Sequence, residues 1–367
     1  MTIQVTWPQI LAWRLRRQFV SGPGASGAVE VAGRLCGVQA QVPSSAQLAV
    51  AVRSAEPDPG GVDRALWADR TLAKTWLMRG GTLHLVPAGD LADHCAALST
   101  LRFWEKGSWL RGHGVTAAEM AAIIEAVPQA LGDVPKTRQE LVDAVVRLTG
   151  DAHLREALTS GWGVLLKPLS RLGELCYGPP REGRVTFTAP RHWLRGWPAE
   201  LPPHEEAGLR VARAFLAAHG PATPEMFDAW LFGGTARKAV LKGWFRDLAP
   251  ELTEVEADDG RTLLALTAHL DALAATRPSD EVHLLPGFDQ FILAAPRALE
   301  ALIPAAVKTK VSRQAGWISP VVIYRGRVTG VWEAKDGQVA TDLFEPVPPD
   351  QMKAAVTRIE SLLRPPH

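Results

Sequence analysis

Two glutamines, Gln39 and Gln41, flank Ala40 in the stretch GVQAQVPSSAQLAV. Each amide offers one carbonyl acceptor and two N–H donors. Residues two apart share a side of an extended chain but not of a helix, and Pro43 biases Val42 toward extended angles. If the extended run reaches back through Gln39, both amides project together and Ala40 turns the other way. Such a pair can orient a water and set carbonyl oxygens toward a developing positive charge. Neither amide is an effective general base, so the pair suffices only for a bond that needs little activation. A guanine alkylated at N7 presents such a bond. The base is cationic, its link to deoxyribose is weakened, the sugar gains oxocarbenium character as the link breaks, and the base leaves neutral. The plainer alternative, that both amides satisfy backbone groups at a helix end, stays open on these residues alone.

Two further polar residues bear on that chemistry. Asp289, in PGFDQF, would be a stronger electrostatic partner for a sugar cation than an amide; the commoner role of an Asp after Pro-Gly is to cap a turn. His84, in TLHLVP, alternates with Leu83 and Leu85. It therefore faces the other side of its strand, either touching DNA or sitting half-buried with its bonds satisfied. Cys36, Cys95 and Cys176 are far apart, lack zinc-ligand spacing, and are odd in number, which argues against a disulfide framework. No metal and no cofactor is expected.

The formal net charge of +1 excludes a blanket basic surface, but the cations are clustered. Residues 167–196 carry Lys167, Arg171, Arg181, Arg184, Arg191 and Arg195 against Glu174 and Glu182. RKAVLKGWFR carries Arg237, Lys238, Lys242 and Arg246 without an acid, and VKTKVSR carries Lys308, Lys310 and Arg313. Taken together these segments favour binding of a polyanion. Arg102, Phe103, Trp104, Lys106, Trp109 and Arg111 interleave cations with aromatics, which could stack on bases or simply be core beside a wet rim.

The elements that must position these groups recur in the chain of 367 residues. Helical spacing predicts helices over 7–19, 28–37, from Pro43, with Ser44 as N-cap and Gln47 closing a capping box, and over 63–73. KTWLMR and TLHLVP then read as a hairpin turning tightly at Gly80-Gly81. Helices over 88–103, 116–130, 137–148 and 161–172 precede a hairpin around GPPREG. Helices over 203–219, 223–232 and 235–248 precede strands on either side of ADDGR. Helices followed by a hairpin describe a winged helix, here three times as a repeat of pattern rather than of residues. Residues 281–367 are β-rich, turn at Arg325-Gly326 and close with a helix over 349–363. The expected fold is thus α+β: winged-helix units over 1–87, 88–196 and 197–280, and a β-rich barrel or sheet over 281–367. No apolar run has membrane-spanning length. The N-terminal basic residues follow the apolar stretch rather than precede it, unlike a signal peptide, so a cytoplasmic location is expected.

Three such units, a Gln-apolar-Gln motif in the first, GTLHLVPAGDL, LLPGFDQFIL and GWISPVVIYRGRVTGVW together resemble the AlkZ/YcaQ family of bacterial DNA glycosylases over nearly the whole chain. The family divides into Gln-apolar-Gln and Gln-apolar-Asp members, and Gln39-Ala40-Gln41 resembles the AlkZ side, associated with self-resistance to DNA-alkylating natural products. The resemblance implies a monomeric, monofunctional glycosylase that acts on N7-alkylguanine in double-stranded DNA, bulky adducts and interstrand crosslinks included. Gln39 and Gln41 would be its catalytic pair. It also implies a β-hairpin that probes the duplex, for which the Arg325-Gly326 turn and the GPPREG loop are candidates. Full extrusion of the base is the usual route to such chemistry; bulky adducts resist it, which favours an open concave site. A winged-helix transcriptional regulator without catalysis and a protein that sequesters a free genotoxin are the rival readings.

Overall fold

The computed structural model describes residues 3–161 and 163–364. It is a mixed α+β protein with several small sheets. Two compact units divide the chain, and neither is continuous in sequence. One comprises Met1–Val62, Ala212–Trp230 and Phe245–His367; the other comprises Asp63–Val211 and Leu231–Trp244.

The first unit begins with β1 (Ile3–Val5), followed by helices α1 (Trp7–Arg17), α2 (Ala28–Arg34) and α3 (Pro43–Ala51), with the short strand β2 (Val38–Gln39) leading toward α3. Thr6 and Gln9 form a capping box at the start of α1, each reaching the other's backbone N–H. Helix α3 departs from expectation at its start. Pro43 is its first residue, Val42 is the N-cap, and no side chain caps it. Proline's fixed φ and missing N–H suit that first position, so Ser44 lies inside the helix rather than before it.

In the second unit, β3 (Leu72–Trp76) and β4 (Leu83–Pro87) pair antiparallel from Leu72↔Pro87 to Trp76↔Leu83. The loop between them therefore runs over 77–82, not the two residues expected; Arg79, Gly80 and Gly81 all have positive φ. The helix expected over 63–73 is also cut short. A π-helical turn over Arg64–Ala68 gives way to β3 after Arg70 takes the left-handed conformation. The helices expected from 116 and 137 begin at Thr116 and Thr137, which form capping boxes with Glu119 and Glu140, each cap worth about 1 kcal/mol. The helix expected over 161–172 is broken into a 3-10 turn and the short helix Lys167–Arg171; Trp162, within that span, lies outside the described residues. The strand β5 (Lys136–Thr137) joins β6 (Cys176–Arg181) and β7 (Arg184–Thr188), which form the hairpin around GPPREG.

Back in the first unit, β8 (Leu252–Ala257) and β9 (Thr262–Leu266) form the hairpin across ADDGR. Strand β1 adds to β8 in parallel, Ile3 opposite Val255. The C-terminal region is an open antiparallel sheet, β10 (Val282–Leu285), β11 (Val321–Tyr324), β12 (Arg327–Lys335) and β13 (Gln338–Leu343) in that order. The helix Pro349–Leu363 follows as predicted. Within FDQFILA, however, Gln290–Leu293 is a short helix rather than a strand.

The turn at Arg325-Gly326 joins β11 to β12 with φ of 54° and 77°. A Cβ on Gly326 would lie 2.7 Å from Leu11 Cβ on α1. Gly326 thus seats this turn on a helix of its own unit, while Arg325 stays exposed. Gly326→Ala is accordingly expected to destabilise the protein by about 2–4 kcal/mol, from left-handed strain plus overpacking. Gly183→Ala is the control: φ is 74° and nothing lies within 4 Å, so only the backbone cost of about 1–2 kcal/mol remains. Denaturant midpoints of the two variants check the difference; equal shifts would refute it.

Candidate active site

The chain enters the glutamine motif through a tight reversal. Helix α2 ends, Cys36 takes φ 56° and Gly37 φ 115°, and the Gly37 N–H donates to Ala32 O at 2.8 Å. A left-handed residue is costly for a side chain other than glycine, so the reversal needs outside support. His219 supplies it: one ring nitrogen, Nε2, donates to Leu35 O at 3.1 Å, and Nδ1 accepts from Gln18 Nε2 at 3.1 Å. Burial drives the imidazole down to about 3, the Leu35 carbonyl partly offsets this, and the Arg14 and Arg53 cations push it further down. His219 is therefore neutral, and these two bonds fix its tautomer.

Beyond the reversal, β2 is extended through Gln39, and Val42 is extended at φ −112°, ψ 106°. The two amides meet different surroundings. Gln39 is 5 % exposed and Ala40 2 %, whereas Gln41 is exposed. Gln39 Oε1 is buried without a hydrogen-bond partner. A buried acceptor left unsatisfied costs about 1–3 kcal/mol, and nearly all such groups in folded proteins are paired. The motif thus places one amide carbonyl inside the protein and a second amide, two residues on, at its surface.

Asp289 is tied up by structure. Its carboxylate receives Arg53 Nη1 at 2.7 Å and Nη2 at 2.8 Å, and its Oδ1 also accepts the Phe291 N–H at 2.9 Å. Both side chains of the pair are fully buried. Arg53 also donates to Gln18 O and Ala49 O, each at 3.0 Å. Asp289 is thus the N-cap of the helix Gln290–Leu293 and the counter-ion of Arg53, not a free carboxylate awaiting a sugar cation. Its effect is to clamp the 286–290 loop to the C-terminal end of α3. At the other end of α3, a Cβ on Gly287 would lie 3.6 Å from Ser45 Oγ and 3.0 Å from Ile318 O.

Arg53 was not singled out by sequence. Its one signal is a lone cation closing the apolar run QLAVAV. Gln290 was missed as well. It is buried, and neither its Nε2 nor its Oε1 has a partner; nothing in its spacing marks it.

His84 does not reach a duplex. It is fully buried, a ring N–H donates from Nδ1 to Thr82 O at 2.9 Å, and burial pushes it down to about 3.

Burial also divides the predicted cations. Arg171 is 2 % exposed, with its guanidinium 4.7 Å from the Phe103 ring centroid and its pKa lowered by burial to about 10; it is a core residue, not a phosphate contact. Phe103 packs edge to face on both Trp104 and Trp109; Trp104 is in the core, and Phe103 and Trp109 are partly buried against it. Lys167 is half-buried, its pKa lowered by burial and then by Arg171. Arg181 pairs with Glu140, Arg191 with Glu174 at 2.6 Å, and Lys310 with Asp342 at 2.7 Å. Arg184, Arg237, Lys238, Lys242, Lys308 and Arg313 are exposed. Among the described residues, no group of three or more His, Cys, Asp or Glu could hold a metal ion.

Residues 32–364 match the model of the family described as "DNA glycosylase AlkZ-like". The chain is similar to the "Interstrand DNA cross-link repair glycosylase" of Streptomyces sahachiroi, 42% identical over 358 residues, which are 98% of this chain and 95% of that protein. It is likewise similar to the solved structure of "Streptomyces sahachiroi DNA glycosylase AlkZ", with 41% identity, a TM-score of 0.92 and 99% of each chain covered.

Proposed function

Since the chain belongs to the AlkZ-like family of DNA glycosylases, we propose that it hydrolyses the N-glycosidic bond of cationic N7-alkylguanine in double-stranded DNA, bulky adducts and interstrand crosslinks included. The observation that carries this reading is the buried, unpartnered Gln39 carbonyl inside the exposed Gln41. Water bonds through its oxygen to C1′. The C1′–N9 electron pair returns to the alkylated ring, which leaves neutral, and the water gives one proton to solvent. Positive charge passes through the sugar on the way. Gln39 Oε1, fixed in a poorly solvated place, meets that charge without reorganising; Gln41, at the rim, holds the incoming water.

Helices followed by the hairpins β3–β4, β6–β7 and β8–β9 support the reading of three tandem winged helices over 1–87, 88–196 and 197–280, with 281–367 as the β-rich part. Winged helices hold duplexes by a helix in a groove and a wing along the backbone, and the exposed cations suit phosphates. The GPPREG hairpin ends in an exposed Glu182-Gly183 turn with no side of it packed on a helix at Gly183, which favours it as the probing hairpin. The protein acts as a cytoplasmic monomer without cofactor, in self-resistance to a DNA-alkylating natural product. No helix among the described residues is long and apolar enough to cross a membrane.

The test is a duplex bearing one N7-methylguanine, and a second bearing a bulkier N7 adduct. Incubation followed by hot alkali should cut the strand at the modified position, while the strand stays whole before alkali. No cut on either duplex would sink the reading.

A further inference from the structure

We propose that Trp317 determines specificity for the alkylated base: its indole stacks on the cationic purine and separates it from neutral guanine. The proposal rests on the reading of Gln39 and Gln41 above. Trp317 is a large apolar side chain left 45 % exposed, yet its place is built. The Arg313 N–H donates to Trp317 O at 2.8 Å, and Ser312 bridges Ile318 across the same loop. The tip turns through Ala315 at φ 54° and Gly316 at φ 76°. The indole meets Phe288 edge to face, centroids 5.0 Å apart at 76°. Phe288 itself is held at φ 60°, a conformation that costs an aromatic residue stability and persists where its surroundings impose it.

The pair is tied to the start of α3. A Cβ on Gly287 would lie 3.0 Å from Ile318 O and 3.6 Å from Ser45 Oγ; Phe288 and Trp317 are the chain neighbours of Gly287 and Ile318. Ser45 is in the first turn of α3, four residues past Gln41, which is at most about 14 Å of chain. In this proposal the exposed indole offers its π-face to the base that approaches Gln41, and the exposed Arg313 of the same loop holds an adjacent phosphate.

Charge decides what that face selects. Tryptophan is the strongest aromatic partner for a cation. Alkylation at N7 puts a positive charge on the purine that guanine lacks, so stacking discriminates where the neutral amides do not. The base loses that charge as C1′–N9 breaks. The interaction is therefore strongest before reaction and fades toward the transition state, so it acts on binding rather than on the chemical step.

The test follows the enzyme-concentration dependence of single-turnover base release from an N7-methylguanine duplex, with binding to the unmodified duplex measured in parallel. Trp317→Ala should raise the half-saturating concentration roughly 10–30-fold. It should leave the rate at saturation unchanged or slightly raised, and weaken unmodified duplex less than about 3-fold. Trp317→Phe should recover part of the loss. Equal weakening on both duplexes, an unchanged half-saturation, or a loss confined to the saturated rate would each overturn the proposal. The thermal midpoint of Trp317→Ala, expected to fall modestly with the lost Phe288 contact while unfolding stays cooperative, separates these outcomes from misfolding. A wild-type protein that released no base would refute the underlying reading instead, independently of Trp317.

Discussion

Gln39→Ala should lower the single-turnover rate of base release by about 10²–10³-fold, whereas Gln41→Ala should lower it by roughly 10-fold. The larger figure is the loss seen when one preorganised hydrogen-bonding group is removed from around developing charge, about 2.7–4 kcal/mol of barrier. Gln39 meets the conditions for it. Its carbonyl is buried, held by an extended strand, and unpartnered in the resting protein, so it need break no bond to meet the sugar cation. Gln41 is exposed. Its dipole acts through a higher dielectric, where the same geometry is worth several-fold less, and solvent can stand in for part of its grip on the water. Stability gives an independent check. Gln39→Ala removes an unsatisfied acceptor along with its methylenes, so the cavity and the relieved desolvation oppose one another. The denaturant midpoint should move by no more than about 1 kcal/mol. Equal losses from the two alanines, or a larger one from Gln41→Ala, would show that burial does not rank their roles.

The order Gln39 inside, Gln41 outside could not be read from sequence, although the motif itself could. Pro43 correctly forces Val42 to be extended, because that restraint is local. The flanks of the motif are held by partners far along the chain: His219 on the reversal before β2, and the 286–290 loop against α3. The same division runs through the fold. The helix starts at 116 and 137 were legible because their signal is local: Thr116 and Thr137 each find a Glu three residues on. The β1–β8 pairing was not, because Ile3 and Val255 share no local signal. Charge counting read the clusters but not Arg171, since a sequence gives the number of cations and not which of them an aromatic core has enclosed. Asp289 was legible as a turn cap and illegible as an ion pair, because Arg53 lies 236 residues away.

That ion pair yields the largest expected change in stability. Asp289→Ala should destabilise the protein by about 3–5 kcal/mol, because it leaves the Arg53 guanidinium buried without a counter-charge. The geometry supports the upper part of that range. Two parallel bonds of 2.7 and 2.8 Å are lost at once, and the N-cap of Gln290–Leu293 goes with them. The remaining Arg53 donors, to Gln18 O and Ala49 O, are neutral carbonyls and do not compensate the charge. Asp289→Asn keeps an acceptor for the Phe291 N–H but not the charge, and should fall between wild type and Asp289→Ala. The double variant Arg53→Met Asp289→Ala should be less destabilised than the sum of its single changes. Removing both charges leaves neither one stranded, and residues in direct contact couple. Urea unfolding of the four proteins forms the cycle, and additivity within about 0.5 kcal/mol would mean that the pair contributes little beyond its parts. Activity links the clamp to the site. The loop held by Asp289 also meets the first turn of α3 at Ser45, just after the glutamine motif. In conditions where Asp289→Asn is fully folded, its base-release rate should therefore still fall, while its affinity for unmodified duplex, which we propose rests on exposed cations, should not.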